Sequence, residues 1–269
     1  MIEWLKVIVL GIVEGITEFL PISSTGHLIV AAALLDFQDS MGGTFEIFIQ
    51  LGAVVAVVLF YRRQLLQQAR ALPSSREIQR FWLGIVVASI PAALFGFLLR
   101  HWIKAVLFSP AVVAISLIVG GIIFLLVERG PLKVQARTTE TTQISLRQAI
   151  IVGLAQTTAL IPGVSRSGAS IIGGMGSGLS RRAATEFSFY LAIPVLGGAT
   201  IFDLLDSLSG ISSTQLAYLM VGAVVSGIVA WLSIGWLLRY VSTNTFVNFG
   251  YYRIIAGVVI LLVLASSRL

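Results

Sequence analysis

Six stretches of this chain, roughly 44–61, 81–99, 108–127, 184–203, 215–238 and 250–267, are long apolar runs, and two more are apolar but broken in the middle. No other feature narrows the fold as far. An α-helix crosses a bilayer on about 20 apolar residues, so the six unbroken runs are expected to be transmembrane helices. The broken regions, 4–35 and 147–178, are interrupted by Pro21-Ile22-Ser23-Ser24-Thr25-Gly26 and by Pro162-Gly163-Val164-Ser165-Arg166-Ser167-Gly168. Their arms are too short to span comfortably. Each region is therefore expected to be a re-entrant helix–loop–helix hairpin that enters and leaves by one face. Irregular backbone at that depth is tolerated only inside protein or beside a water-filled cavity.

Composition supports the same class. Of the 269 residues, 57% are hydrophobic and only 11% charged, whereas soluble domains carry about a quarter charged residues. A cytosolic enzyme, a disordered chain, a collagen and a disulfide scaffold are excluded. The chain has no cysteine, hence no disulfide framework and no thiolate metal site. Two histidines argue against a His-rich metal site. The net charge of +6 would point to nucleic acid in a soluble protein. Here the basic residues lie between apolar segments, so no nucleic-acid partner is expected, and attraction to anionic lipid is a secondary consequence. Met1-Ile2-Glu3 lacks the basic start of a signal peptide.

The basic loops orient the chain. Arg62, Arg63, Arg70, Arg76 and Arg80 fall in one loop, Arg129, Lys133, Arg137 and Arg147 in another, and Arg181 and Arg182 follow the second hairpin. All three sites are assigned to the cytoplasm, and the loop at 203–214, with Asp203 and Asp206 and no base, to the outside. Arg100 and Lys104 then fall outside, against the trend. The first hairpin dips in from outside and the second from the cytoplasm.

Self-comparison reveals a repeat. Gly11-Ile12-Val13-Glu14 aligns with Gly153-Leu154-Ala155-Gln156, and Ser23-Ser24-Thr25-Gly26 then falls on Ser165-Arg166-Ser167-Gly168. With two residues dropped, Thr44-Phe45-Glu46 meets Ala184-Thr185-Glu186. Each half is one hairpin plus three spans, and an odd number of spans reverses the second half. The expected fold is an all-α polytopic membrane protein of two inverted-topology repeats, at about 1–130 and 140–269, forming one membrane domain. Broken helices of such repeats meet near the midplane.

Charge within a membrane segment is costly and normally faces a cavity or a partner. Glu14, Glu18, Glu46, Arg166 and Glu186 are such charges, and His27 joins them at the first hairpin tip. Glu14 and Glu18 share one helix face. Two carboxylates that close repel unless a proton or a cation lies between them, so a divalent metal or Arg166 is expected there. Ser23-Ser24-Thr25-Gly26-His27 and Ser165-Arg166-Ser167-Gly168 put hydroxyls and glycines at helix N-termini, which bind anions. Arg fits a phosphate bidentately. Were the tips to meet, they would form one pocket suited to phosphoryl transfer, with Arg and metal stabilising charge and Ser or His attacking. The competing reading has the serines only cap helices and the glycines only permit close packing. That leaves Arg166 unexplained. Glu46 and Glu186 are repeat-equivalent and either orient the hairpin loops or sit at the interface with water. His101, beside Arg100, reads as a solvated face. Gly174-Met175-Gly176-Ser177-Gly178 follows no strand and is no dinucleotide fingerprint. It reads as a small-residue packing surface, as does Gly11 with Gly15.

These residues resemble a known family. Glu14-Gly15-Ile16-Thr17-Glu18-Phe19-Leu20-Pro21-Ile22-Ser23-Ser24-Thr25-Gly26-His27 is similar to the first signature of the bacterial undecaprenyl-diphosphate phosphatases of the bacitracin-resistance type, and Pro162-Gly163-Val164-Ser165-Arg166-Ser167-Gly168-Ala169-Ser170 to the second. The family often has Thr at the position of Ser170. Thr44-Phe45-Glu46 through Gln50-Leu51-Gly52 and Glu186-Phe187-Ser188-Phe189 also match. The resemblance implies hydrolysis of undecaprenyl diphosphate to the monophosphate and inorganic phosphate, which recycles the lipid carrier of peptidoglycan in the bacterial inner membrane, with the site facing the periplasm. It implies Mg²⁺ or Ca²⁺ near Glu14 and Glu18, phosphate contact through Arg166, and either Ser24 or His27 as nucleophile; on the pocket reading Ser23, Thr25, Ser165, Ser167 and Ser170 are expected to contact the phosphate as well. A homodimer is left open. The rival class is a lipid-phosphate flippase or transporter, which shares the inverted-repeat architecture, since fold does not decide function.

Overall fold

The computed structural model describes residues 2–37, 44–207 and 212–266. The last residue of the expected span at 250–267, residues 208–211 of the outer loop, and the side chains of Lys104, Asp203 and Asp206 lie outside the described residues. Eleven α-helices run through the rest: α1 (Ile2–Thr17), α2 (Ser24–Leu34), α3 (Thr44–Phe60), α4 (Arg62–Ala71), α5 (Arg76–Val106), α6 (Pro110–Arg129), α7 (Leu146–Thr157), α8 (Arg166–Gly176), α9 (Arg181–Ser207), α10 (Ser213–Thr243) and α11 (Val247–Ser266).

Five of them, α5, α6, α9, α10 and α11, are long and apolar enough to cross a membrane, and α3 with α4 makes a sixth candidate bent by 64°. These six match the six expected spans. The stretch 62–80, expected as a loop, is mostly helical. α4 carries Arg62, Arg63 and Arg70, so the chain turns at Tyr61 once the charges begin. α5 starts early, at Arg76, because the Ser75 hydroxyl caps it by accepting from the Ile78 N–H, and it runs on to Val106. Large apolar side chains such as Leu98, Ile228, Ile255 and Leu262 stand exposed on the outer faces of these helices. Water would not tolerate so extensive an apolar surface. The protein is a multi-pass membrane protein.

Both broken regions are helix–loop–helix units. α1 stops at Thr17 and α2 starts at Ser24, while α7 stops at Thr157 and α8 starts at Arg166 after a short 3₁₀ turn. In each unit the two arms pack on one another. The contacts outside the hairpins exchange between halves. α1 packs on α10 and α7 on α5, α3 on α10 and α9 on α5, while α3 meets α9 and α6 meets α11.

Small residues bring the backbones together. A Cβ on Gly15 of α1 would stand 2.6 Å from the Ser226 carbonyl oxygen of α10, and one on Gly52 of α3 would stand 2.0 Å from the Ala223 carbonyl oxygen. At the end bearing the basic loops, buried Glu128 of α6 accepts from Arg181 Nε at 2.7 Å and from the Phe246 N–H at 2.8 Å. One carboxylate thereby fastens the ends of α6, α9 and α11.

Candidate active site

Each hairpin loop turns through the same unusual residue. Ser23 and Ser165, at equivalent repeat positions, have φ of 74° and 73°. Non-glycine residues avoid that region at a cost of about 1–3 kcal/mol. Each spends its hydroxyl as a helix cap: Ser23 Oγ accepts from the Gly26 N–H at 3.4 Å and Ser165 Oγ from the Gly168 N–H at 3.1 Å. Capping is thus a true part of these serines' work. The bend aims the first turns of α2 and α8 into the protein, with Ser24 and Arg166 as their first residues.

The two tips meet. Arg166 Nη2 donates to Glu18 Oε1 at 3.0 Å, and both side chains are nearly inaccessible to solvent. Ser24 Oγ donates to the other oxygen, Oε2, at 2.6 Å. Glu18 is therefore the pivot, with the hydroxyl of one hairpin and the guanidinium of the other on its two oxygens. Arg166 Nη1 donates to the Ser188 carbonyl oxygen at 2.8 Å, and its Cζ stands 5.6 Å from the centre of the Phe19 ring. Its Nε–H is buried without a hydrogen-bond partner. Ser167 Oγ donates to the Leu20 carbonyl oxygen at 3.0 Å, a second stitch between the loops.

Glu14 lies one turn before Glu18, whose N–H still donates to the Glu14 carbonyl oxygen at 2.9 Å. Its side chain is 1% exposed, and neither carboxylate oxygen has a hydrogen-bond partner. Glu18, Glu46 and Arg166 all lie within its electrostatic reach. A buried carboxylate with both oxygens unused is a strong acceptor in want of a cation. Hard divalent ions take oxygen ligands, and Mg²⁺ in particular is held by one or two carboxylates with the rest supplied by water and substrate phosphate. Among the described residues no three acidic or histidine side chains converge as a closed cage. The unpartnered oxygens of Glu14 are of the kind such an ion takes, whereas those of Glu18 already accept from Ser24 and Arg166.

The other candidates separate from this cluster. His27 Nδ1 lies 2.7 Å from the Ser23 carbonyl oxygen and Nε2 lies 2.5 Å from the Tyr252 hydroxyl. A carbonyl only accepts, so Nδ1 carries the proton, and in the neutral ring Nε2 accepts from Tyr252. The two rings stack at 5.6 Å. They stand at the polar end of a cleft of about 310 Å³ lined by Val13, Val30, Leu34, Leu117, Val259 and Ile260. Several of its lining residues are exposed on the outer face, so the cleft opens toward the bilayer. Ser170 Oγ donates to the Arg166 carbonyl oxygen at 2.9 Å and to Gln156 Oε1 at 3.3 Å, which binds it to its own hairpin. Thr25 is half-buried in the first turn of α2. Glu186 accepts from exposed Arg182 at 2.9 Å and from Thr141 at 2.5 Å, the interfacial alternative of its two readings. Glu46, in the first turn of α3, stays near Glu14. Of the glycine-rich stretch only Gly174 packs closely, where a Cβ would stand 2.8 Å from that of Ala184; one on Gly176 would meet nothing within 4 Å, and Gly178 serves a turn at φ 95°.

Three further residues belong to this region, one of them, Ser188, noted in the sequence only as part of a matching stretch. Ser188 receives Arg166, Tyr252 holds His27, and Arg253, fully buried in α11, donates to backbone carbonyl groups of both hairpin loops. A charge inside an apolar run marks Arg253 in principle. It stands so early in the run at 250–267 that reaching back to the interface would explain it equally well.

The model of the family described as bacitracin resistance protein BacA matches residues 7–259. A protein of Albidiferax ferrireducens named undecaprenyl-diphosphatase is 50% identical over 259 residues, covering 96% of this chain and 94% of that protein. Proteins of the same name from Polaromonas sp. and Cupriavidus necator are 49% and 46% identical, over 96% and 98% of this chain and 94% and 96% of their own length.

Proposed function

The chain belongs to the bacitracin resistance protein BacA family, and from that premise we propose that it is an undecaprenyl-diphosphatase, which removes the terminal phosphate of undecaprenyl diphosphate. The observation that carries the chemistry is the Glu18 pivot, with Ser24 Oγ at 2.6 Å on one oxygen and Arg166 at 3.0 Å on the other. The hydroxyl is activated by a base already in contact, and the guanidinium beside it is suited to a phosphate.

Ser24 Oγ attacks the terminal phosphorus and passes its proton to Glu18 Oε2. The bond from that phosphorus to the bridging oxygen breaks, and its electrons leave with undecaprenyl phosphate. Water then attacks the phosphoserine. Ser24 Oγ leaves and recovers the proton from Glu18, and inorganic phosphate carries off the two protons of water. Arg166 and the free N–H groups of α2 and α8 hold the phosphate oxygens throughout. Glu14 would hold Mg²⁺ or Ca²⁺, which supplies positive charge against the charge developing on phosphate. His27, engaged by Ser23 and Tyr252, orients the start of α2 and ends the apolar cleft, where the prenyl chain next to the phosphates is seated.

The basic loops support an inner-membrane protein whose first hairpin, and so Ser24, is reached from the periplasm. The exchange of helix contacts between the halves supports the inverted repeat. Glu18, Ser24 and Arg166 all come from one chain. A flippase would use the same anion donors, and the names of the relatives favour the phosphatase.

Purified protein in detergent, given undecaprenyl diphosphate, is expected to release phosphate, to stop on addition of EDTA and to resume with Mg²⁺ or Ca²⁺. No release under any metal condition from folded protein would move the reading to a transporter, for which lipid translocation in vesicles is the assay. Substrate labelled in its terminal phosphate separates the nucleophiles. Wild-type protein should trap an acid-stable phosphoserine and Ser24→Ala none. Alkali-stable, acid-labile label in Ser24→Ala would transfer the role to His27.

A further inference from the structure

Arg253 is 0% exposed, and among the described residues no acidic side chain pairs with it. Its hydrogen-bond acceptors are all backbone oxygens, and its Cζ also stands 6.0 Å from the centre of the Phe124 ring. Nη1 donates to Pro21 at 3.1 Å, Nη2 to Gly163 at 3.0 Å and to Ser116 at 3.3 Å, and Nε to Leu117 at 3.4 Å. Pro21 lies in the first hairpin loop, Gly163 in the second, and Ser116 and Leu117 in α6. Burying a guanidinium without a counter-charge is costly, and a helix tie alone could be made by neutral groups. A neutral side chain would not do the same, because the planar fork reaches oxygens of three separate elements at once. A Cβ on Gly168, in the first turn of α8, would come within 3.2 Å of Nη1.

We propose that Arg253 is a positioning residue for the phosphatase reaction. It clamps the two hairpin loops to each other and to α6, and so holds Ser24 and Arg166 on the two sides of Glu18. The proposal rests on the phosphatase reading above. Misplacing reacting groups by about 1 Å can cost about 10²-fold in rate, so a loosened clamp acts on turnover more than on substrate binding.

Two variants test it. Arg253→Lys keeps the charge but loses the fork. Gly120→Ala keeps the arginine but pushes its guanidinium aside: a Cβ there would stand 2.2 Å from Nη2 and 2.8 Å from Cζ, and its three nearest neighbours all belong to the Arg253 side chain. Alanine favours the helix that glycine weakens, so α6 should fold. In both variants kcat should fall more than tenfold per folded molecule, with KM within threefold of wild type. Combining Gly120→Ala with Arg166→Lys should lose much less than the product of the single losses, because both act on one assembly; a merely structural role gives multiplied losses. Hydrogen exchange supplies a readout independent of turnover: the loops 18–26 and 160–168 should exchange faster together, while α3 and α10 stay unchanged. Loops that exchange as in wild type, or turnover reduced tenfold or less in both variants, would overturn the clamp. Wild-type protein that releases no phosphate would overturn the phosphatase reading instead and leave the exchange experiment to decide on the clamp.

Discussion

Arg166→Ala is expected to lower turnover of undecaprenyl diphosphate about 10³-fold or more, the range seen when an arginine that stabilises phosphoryl transfer is removed. The variant loses more than a phosphate ligand. Arg166 is the partner of buried Glu18 at 3.0 Å and also grips the Ser188 carbonyl oxygen at 2.8 Å. Stranding one member of a buried pair costs about 3–5 kcal/mol, so the melting temperature in detergent should fall as well. The two effects separate experimentally. Turnover is measured per folded molecule by size exclusion, and Arg166→Lys, which keeps the charge, should recover stability better than activity because an ammonium cannot reproduce the fork. Turnover of folded Arg166→Ala near the wild-type value would remove Arg166 from the reaction.

The second large effect is on folding. Gly52→Ala puts a methyl group 2.0 Å from the Ala223 carbonyl oxygen and 2.7 Å from its carbon. Both are backbone atoms of α10, so no side chain can swing aside. The helices must part along a seam that in the wild type lets backbone meet backbone. Overpacking of this severity costs about 3 kcal/mol, or about 10 °C in melting temperature for a chain of this size. Thermal unfolding in detergent checks it. A shift below about 2 °C would mean that α3 and α10 separate freely, contrary to their close approach here. Gly176→Ala, where a Cβ meets nothing within 4 Å, is the matched control.

The chain announces its spans and its two breaks because both are local. Apolar runs of membrane length are read residue by residue, and a Pro-Gly-Ser interruption in such a run has few structural outcomes. The residues gathered at the tips were legible for the same reason, since a charge in a bilayer must be answered nearby. Which residue answers which was not legible. Arg166 meets Glu18 across 148 positions of sequence, and nothing in either motif says that Glu18 rather than Glu14 takes it. His27 sits in the signature beside Ser24, yet its ring is drawn to Tyr252, 225 residues away. Glu186 is the repeat partner of Glu46, yet its own neighbour Arg182, one helical turn back, holds it at the interface. α4 escaped because a charged amphipathic helix carries no apolar run.

The order of the chain gives the Arg253 contacts a consequence in time. The ribosome delivers Ser24 early and Arg166 much later, and α11 follows both. The carbonyl oxygens of Pro21 and Gly163 stay without this partner until α11 has entered the bilayer and packed on α6. A nascent chain with both hairpins inserted therefore holds Glu18, Ser24 and Arg166, and the direct stitches between the loops, but gains the Arg253 tie only when α11 arrives.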